Sequence, residues 1–370
     1  MRVVFVFAGI LKYKGRLLKQ IKTLQGAGHE CLLIHGQVED TPPDYGVYDF
    51  RTVPIRLIRD PNKIKNFYNH IRFNFQAAEK IKEISPGAVV CVELYGALSG
   101  ALARFRQTVP KFVFDCNELF MQMGMGRTKQ MFWSPIHNWI FRRADVVMHA
   151  EEQRLLYCQK MYKSKAEHFL LENLPQGSAG TRLADKNRSG GPLRAVYLGA
   201  LLPDRCCEEV IKAFAGIPPE IASCDFIGFG APAYEQSLKD LLSELKIAHV
   251  RFLPPVKHSE MFEVLTQYDA GLAFYENINL NQYYCAPNKI YDYLACGVPV
   301  ISNDYPGLKK VLEDNRVGVC VHDITAASMQ AALQKISTEN FAGNITAEIR
   351  KRYSWQYQAD AYCGIFSADS

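Results

Sequence analysis

Residues 286–301 read Ala-Pro-Asn-Lys-Ile-Tyr-Asp-Tyr-Leu-Ala-Cys-Gly-Val-Pro-Val-Ile, a loop, a short helix and a strand. Pro287 suits the first helical position and Gly297 the position just past the end, so both boundaries are marked chemically. The open N–H groups at the start of such a helix form an anion site. Lys289 adds a positive charge there. Asp292, three residues on and so on the same face, can accept hydrogen bonds from a diol. Phosphate plus ribose is what a nucleotide presents. A chance Lys and Asp on the exposed first turn of any βα unit explains these residues singly, but not their order over so short a span.

Around this stretch the chain alternates apolar runs with helical patterns. Val3–Phe7, Cys31–His35, Ala88–Val92, Phe112–Phe114 and Val146–Ala150 read as strands of a first half. The second half has Ala195–Leu198, Asp225–Gly228, Val250–Leu253, Ala270–Phe274, Pro299–Ser302 and Gly318–Val321. Helical patterns between the latter run over Cys207–Phe214, Tyr234–Leu245, His258–Gln267, Asn288–Cys296, Gly307–Asp314 and Thr325–Ile336. Strand and helix in alternation mark doubly wound parallel sheets. Pro175–Pro192, rich in Gly, Ser and Pro, reads as the connection. At 370 residues the chain fits two such α/β domains, with ligands expected outside the carboxyl ends of the strands.

Composition excludes disorder: 48% of residues are hydrophobic and 22% charged. No apolar run is long enough to span a bilayer. The opening Met-Arg-Val-Val-Phe-Val-Phe-Ala reads as a buried strand rather than an export signal, and a cytoplasmic location is the expectation. The 11 cysteines lack Cys-x-x-Cys spacing, so reduced core thiols are expected rather than zinc ligands. Charge is uneven: residues 1–174 hold 25 Lys and Arg against 16 Asp and Glu, within a net charge of +5 for the chain, so the second half is net acidic. A basic first half suits anionic membrane, an acidic acceptor or nucleic acid.

The sequence Pro-x-Lys, then an acidic residue, an aromatic and Ala-x-Gly-x-Pro-Val-Ile, resembles the donor-binding signature of retaining GT-B glycosyltransferases, family 4 (glycosyl transferases group 1). The resemblance implies two tandem Rossmann-like domains with an interdomain cleft: an acceptor-side domain over 1–174, joined by a tail helix at about 354–370, a linker over 175–192, and a donor-binding domain over 193–353. It implies a sugar moved from a nucleotide-diphosphate sugar to a glycan or lipid-linked acceptor, as in polysaccharide biosynthesis, a hexose being the natural cargo. No resident cofactor is implied, the nucleotide sugar being a co-substrate.

On the same resemblance, Lys289 and Arg205 neutralise the departing diphosphate, and Asp292 holds the ribose. Pro287, Asn288, Gly199, Gly230, Tyr284 and Gly15 complete the donor contacts, while Asp115, Asn117 and Glu118 line the acceptor side. Three departures weaken the pattern. Ala200 stands where many members have a phosphate-binding Arg directly after Gly199, Tyr284 where a second Glu is common, and Asn117 where a His is usual. No Asp-x-Asp pair is present, so cations and helix N–H groups are left to stabilise the leaving group without a metal. These departures motivate an alternative, a non-catalytic GT-B subunit that binds a glycan or partner.

Gly228-Phe229-Gly230-Ala231-Pro232-Ala233 matches a dinucleotide pattern, but no acid ends the next strand, which argues against a nicotinamide enzyme and for a tight strand-to-helix turn. His149 reads as a structural residue. Arg56–Phe75 and Met121–Arg143 mix cations with large apolar residues, which suits a membrane's cytoplasmic face. An amphipathic core helix is the more ordinary reading of both. Nucleic acid is disfavoured, because a recognition motif and a stacking platform are missing.

Overall fold

Continuous apolar runs here become strands buried on both faces, as parallel sheets require. The computed structural model describes residues 1–9, 15–37, 49–124, 126–177, 191–285 and 288–367. Two units are resolved, Met1–Glu172 with Ala359–Ser370, and Asn173–Gln358.

The first unit runs β1 (Arg2–Phe7), α1 (Gly15–Gly26), β2 (Glu30–Gln37), β3 (Arg51–Arg56), α2 (Lys63–Ile84), β4 (Ala88–Val92), α3 (Glu93–Phe105), β5 (Lys111–Cys116), α4 (Arg127–Arg143), β6 (Val146–His149), α5 (Glu152–Met161) and β7 (Glu167–Leu170). Among the described residues its sheet has the order β3-β2-β1-β4-β5-β6-β7, all pairs parallel. Val3, Val4, Phe5 and Val6 of the central strand are wholly buried. Sequence reading missed β3 and β7, which are the two edges. Edge strands need no apolar run, and β3 carries Arg at both ends and tolerates Pro54.

The second unit runs β8 (Leu193–Leu198), α6 (Cys207–Ala215), β9 (Ala222–Ile227), α7 (Pro232–Glu244), β10 (Val250–Leu253), α8 (His258–Leu265), β11 (Ala270–Ala273), α9 (Leu280–Tyr283), α10 (Asn288–Ala295), β12 (Val300–Asn303), α11 (Pro306–Leu312), β13 (Gly318–Val321), α12 (Ala326–Thr338), α13 (Phe341–Asn344), α14 (Ala347–Arg352) and α15 (Trp355–Gly364). Its sheet, again parallel among the described residues, has the order β10-β9-β8-β11-β12-β13. That is the Rossmann order, with the reversal of winding between β8 and β11. The chain passes from the second unit to the first within α15. Most of the predicted linker, residues 178–190, lies outside the described residues.

Helix α10 is fixed across that reversal by one side chain. The Tyr293 hydroxyl accepts from the Leu198 N–H at 2.9 Å and faces the Val196 and Leu272 carbonyls, both at 3.2 Å, so it bridges β8 and β11. Its ring occupies the space where Gly271 lacks a side chain. Gly297, at φ 68, then ends the helix in the left-handed conformation.

Candidate donor site at the reversal of the second sheet

Because Tyr293 faces the sheet, Lys289, one turn earlier, faces it too. The Lys289 Nζ lies 3.9 Å from the centre of the Tyr197 ring on β8 and 5.3 Å from that of Tyr275, two residues beyond β11. The residue is half-buried, but its ammonium is enclosed and has no hydrogen-bond acceptor among the described residues. Burial pushes its pKa down to about 7; nearby Cys207 opposes that fall and Arg205 adds to it. An enclosed cation left without an acceptor is a group waiting for an anion.

Gly199 follows β8 at φ 119, a conformation glycine alone adopts readily, and a side chain there would meet the Lys289 Cε at 3.9 Å. The loop after β8 therefore passes beside the lysine. Its backbone is held by a parallel partner, the loop after β9: Gly199 N donates to the Ile227 carbonyl and Leu201 N to that of Phe229, both at 2.9 Å. A Cβ at Gly228 would collide with the Gly199 carbonyl, and one at Gly230 with the Leu201 carbonyl. Gly230, a predicted donor contact, thus spends its missing side chain on backbone packing. Its N–H is taken by Glu235 at 2.6 Å.

Arg205 stands with its guanidinium 4.7 Å from the Tyr275 ring centre, so the two predicted cations share one aromatic platform. It is also paired, to Asp204 Oδ2 at 2.8 Å, and Gln282 bridges the pair by donating to the same oxygen at 2.6 Å. Asp292, half-buried, sits one turn of α10 from Lys289, and exposed Asn288 accepts from Asn173 at 2.7 Å. Tyr284 caps α9 with its ring 5.3 Å from that of Tyr283. Pro287 lies outside the described residues. Lys289, Arg205 and Gly199 are brought together at the place where an open α/β sheet binds ligands.

In the first unit, the acceptor-side residues divide. Asp115, expected on the acceptor side, is fully buried. Its carboxylate takes Arg16 Nη2 at 2.8 Å, Arg16 Nε at 3.1 Å and Gln20 at 2.6 Å, which uses it structurally. Glu118 pairs with Arg154 Nη1 at 3.0 Å, while the Asn117 carbonyl accepts from the same Arg154 nitrogen at 2.6 Å. Both residues remain half-exposed. Gly15 opens α1 on the exposed side, with nothing within 4 Å of where a Cβ would stand. His149 is buried against His168 at 2.9 Å, and burial lowers its pKa to about 3.

Sequence reasoning missed Tyr197 and Tyr275, whose rings read as core residues of strand ends. It also missed Glu93, held at φ 59 where β4 ends beside the winding reversal of the first sheet. A left-handed non-glycine residue at such a place is the mark of local strain. Cys116, His149 and Cys158 offer atoms within 4.8 Å of one another, a Cys/His grouping hidden from spacing rules because the topology assembles it. The Cys116 thiol is pushed up, first by its hydrogen bond to Cys158 and then by burial, so it packs as a neutral thiol beside the neutral imidazole of His149.

Residues 181–356 match the family of glycosyl transferases group 1. Among solved structures, HepE from Anabaena in complex with UDP is 12% identical, at a TM-score of 0.77 over 100% of both chains. Sucrose-phosphate synthase from Thermosynechococcus elongatus is 15% identical, at 0.75 over 99% of this chain and 98% of the other. The lipopolysaccharide outer core galactosyltransferase WaaB is 14% identical, at 0.75 over 99% and 100%. No curated protein matches the chain. At such identities the structures establish the fold alone: the chain has the GT-B fold, and its residues 181–356 match the model of the glycosyl transferases group 1.

Proposed function

We propose that the chain is a retaining, metal-independent hexosyltransferase of the family 4 kind, using a nucleotide-diphosphate sugar and a glycan or lipid-linked acceptor. The observation that carries the reading is the enclosed ammonium of Lys289, without an acceptor among the described residues, beside the Gly199 loop at the winding reversal. A diphosphate supplies the missing charge. Arg205 lies on the same Tyr275 ring, and α10 carries Asp292, one turn beyond Lys289, for a ribose. HepE structures hold UDP and UDP-glucose, which makes uridine nucleotides the first to try.

In the proposed step the acceptor oxygen bonds to the anomeric carbon as the bond to the β-phosphate oxygen breaks. The leaving phosphate takes the acceptor's proton on the same face. Lys289 and Arg205 hold the charge that builds on that phosphate, so the chain needs neither a protein nucleophile nor a metal. The setting we infer is polysaccharide biosynthesis in the cytoplasm. Reduced cysteines fit that setting, and among the described residues no helix is long and apolar enough to cross a membrane.

Incubation with UDP-glucose, GDP-mannose and ADP-glucose, followed by NMR of the product's anomeric proton with and without EDTA, tests the reading. An α-configured product formed at the same rate with EDTA is expected; a β product overturns retention, and loss of turnover with EDTA overturns metal independence. The Asp204 carboxylate already on Arg205, together with Ala200, favours one second reading, a subunit that binds a nucleotide or glycan without turning it over. Nucleotide binding without turnover of any sugar is its signature.

A further inference from the structure

Helices α2 and α4 of the first unit are joined through aromatic rings. Phe67 lies 5.3 Å from Phe132 and 5.1 Å from Trp133, centre to centre, and His70 lies 6.5 Å from Trp133. The inward residues behave as core: Phe73, Trp133, Ile140 and Phe141 are buried. The outward faces do not behave as an ordinary surface. On α2, Ile64 and Tyr68, one turn apart, are 68% and 65% exposed, and on α4 Met131 is 66% exposed with Phe132 beside it at 41%. Large apolar side chains held outward on two joined helices need a partner.

Charge identifies that partner. Segments 56–75 and 121–143 together carry nine Lys and Arg against a single acid, Asp60, and all nine cations are exposed. Arg59 and Lys129, from the two segments, both reach His70 closely enough to lower its pKa, which burial brings to about 4. A second copy of this chain would set these cations against themselves. Nucleic acid matches the charge but leaves Ile64 and Met131, which offer no stacking face, uncovered. An anionic lipid surface matches both, since apolar side chains enter the acyl boundary while Lys and Arg meet the headgroups.

We infer that the outward faces of α2 and α4 dock the first unit on an anionic membrane surface. Asn62 supports this geometry by capping α2, accepting from Ile64 N at 2.9 Å and Lys65 N at 3.2 Å, so the exposed first turn is fixed in place. The inference stands apart from the donor reading, because lipid binding is measured without any nucleotide.

The test is flotation of the full chain with phosphatidylcholine vesicles and with vesicles that also contain phosphatidylglycerol. Binding to the anionic vesicles alone, released by added salt, is expected. The triple variant Lys63→Gln, Lys65→Gln, Arg72→Gln should bind roughly a hundredfold more weakly, at about fivefold per cation. A second variant, Ile64→Ser with Tyr68→Ser and Met131→Ser, should keep the salt dependence but lose most of the binding. Both change exposed side chains and should retain the parent's circular dichroism and melting. No binding by the parent overturns the proposal, as does parental binding by both variants. So does a dimer, or binding to duplex DNA or RNA, that these substitutions abolish while lipid binding persists.

Discussion

Lys289 Nζ lies 3.9 Å from the centre of the Tyr197 ring, whose face presents negative charge density to the ammonium. A ring face holds an ammonium far less well than a phosphate does. The pair therefore keeps the lysine aimed without satisfying it.

The first consequence concerns pH and ligand. A bound diphosphate favours the charged ammonium and so raises the Lys289 pKa from its ligand-free value of about 7. Affinity is then complete below that value and falls as pH rises through it, by up to about tenfold per pH unit. Calorimetry with nucleoside diphosphate between pH 6 and pH 9, as about the useful range, should show that slope, and Lys289→Met should abolish it. Equal affinity at both ends would separate the lysine from the phosphate.

The same shift makes Lys289 a cost to the empty fold. Its folded pKa lies near 7 against an ordinary 10.5, so between these values the unfolded chain binds more protons and stability rises with pH. The penalty is fully present below about 7. Lys289→Met should therefore melt at higher temperature than the parent at neutral or acidic pH, by a few kcal/mol, with the difference closing toward the ordinary lysine pKa. A variant less stable than the parent at neutral pH would contradict this.

Gly228→Ala tests the backbone that places Gly199. The added methyl collides with the Gly199 carbonyl, a main-chain atom that cannot rotate away. A loss of about 1–3 kcal/mol in stability is expected, with weaker nucleotide binding because the loop beside Lys289 shifts. Unchanged binding would show that the Gly199 loop does not touch the ligand.

Asp115→Asn should act on the first unit alone. It leaves the Arg16 guanidinium buried without its counter-charge, and a loss of about 3–5 kcal/mol is the usual size of that effect. Arg16→Met combined with Asp115→Leu should restore much of it. If Asp115→Asn were as stable as the parent in urea while losing acceptor binding, the carboxylate would be a ligand after all.

Much of the fold was legible because parallel strands buried on both faces leave continuous apolar runs such as Val3–Phe7, and because Gly297 ends α10 where its residue type says a helix ends. Edge strands escaped: Arg51–Arg56 is polar because one side of it has no neighbour. In the candidate site, Lys289 was read from its place in the 286–301 stretch and Arg205 from the family resemblance. Their surroundings were not, since Tyr197 and Tyr275 look like core in sequence, and only the folded chain shows the two rings carrying the cations. Asp115 was named on the acceptor side from the family resemblance alone, and nothing local in the sequence reveals that Arg16, 99 residues earlier, folds back to pair with it.

The most direct measurement is thermal stabilisation by UDP, GDP, ADP and TDP, with chelator present, on the parent and on Lys289→Met. For one nucleotide the parent should gain about 2.7 kcal/mol at a hundred times the dissociation constant, while the variant gains little. Stabilisation of the two proteins alike, or of neither by any of the four, would contradict the assignment of Lys289 and the Gly199 loop as a nucleotide-diphosphate site.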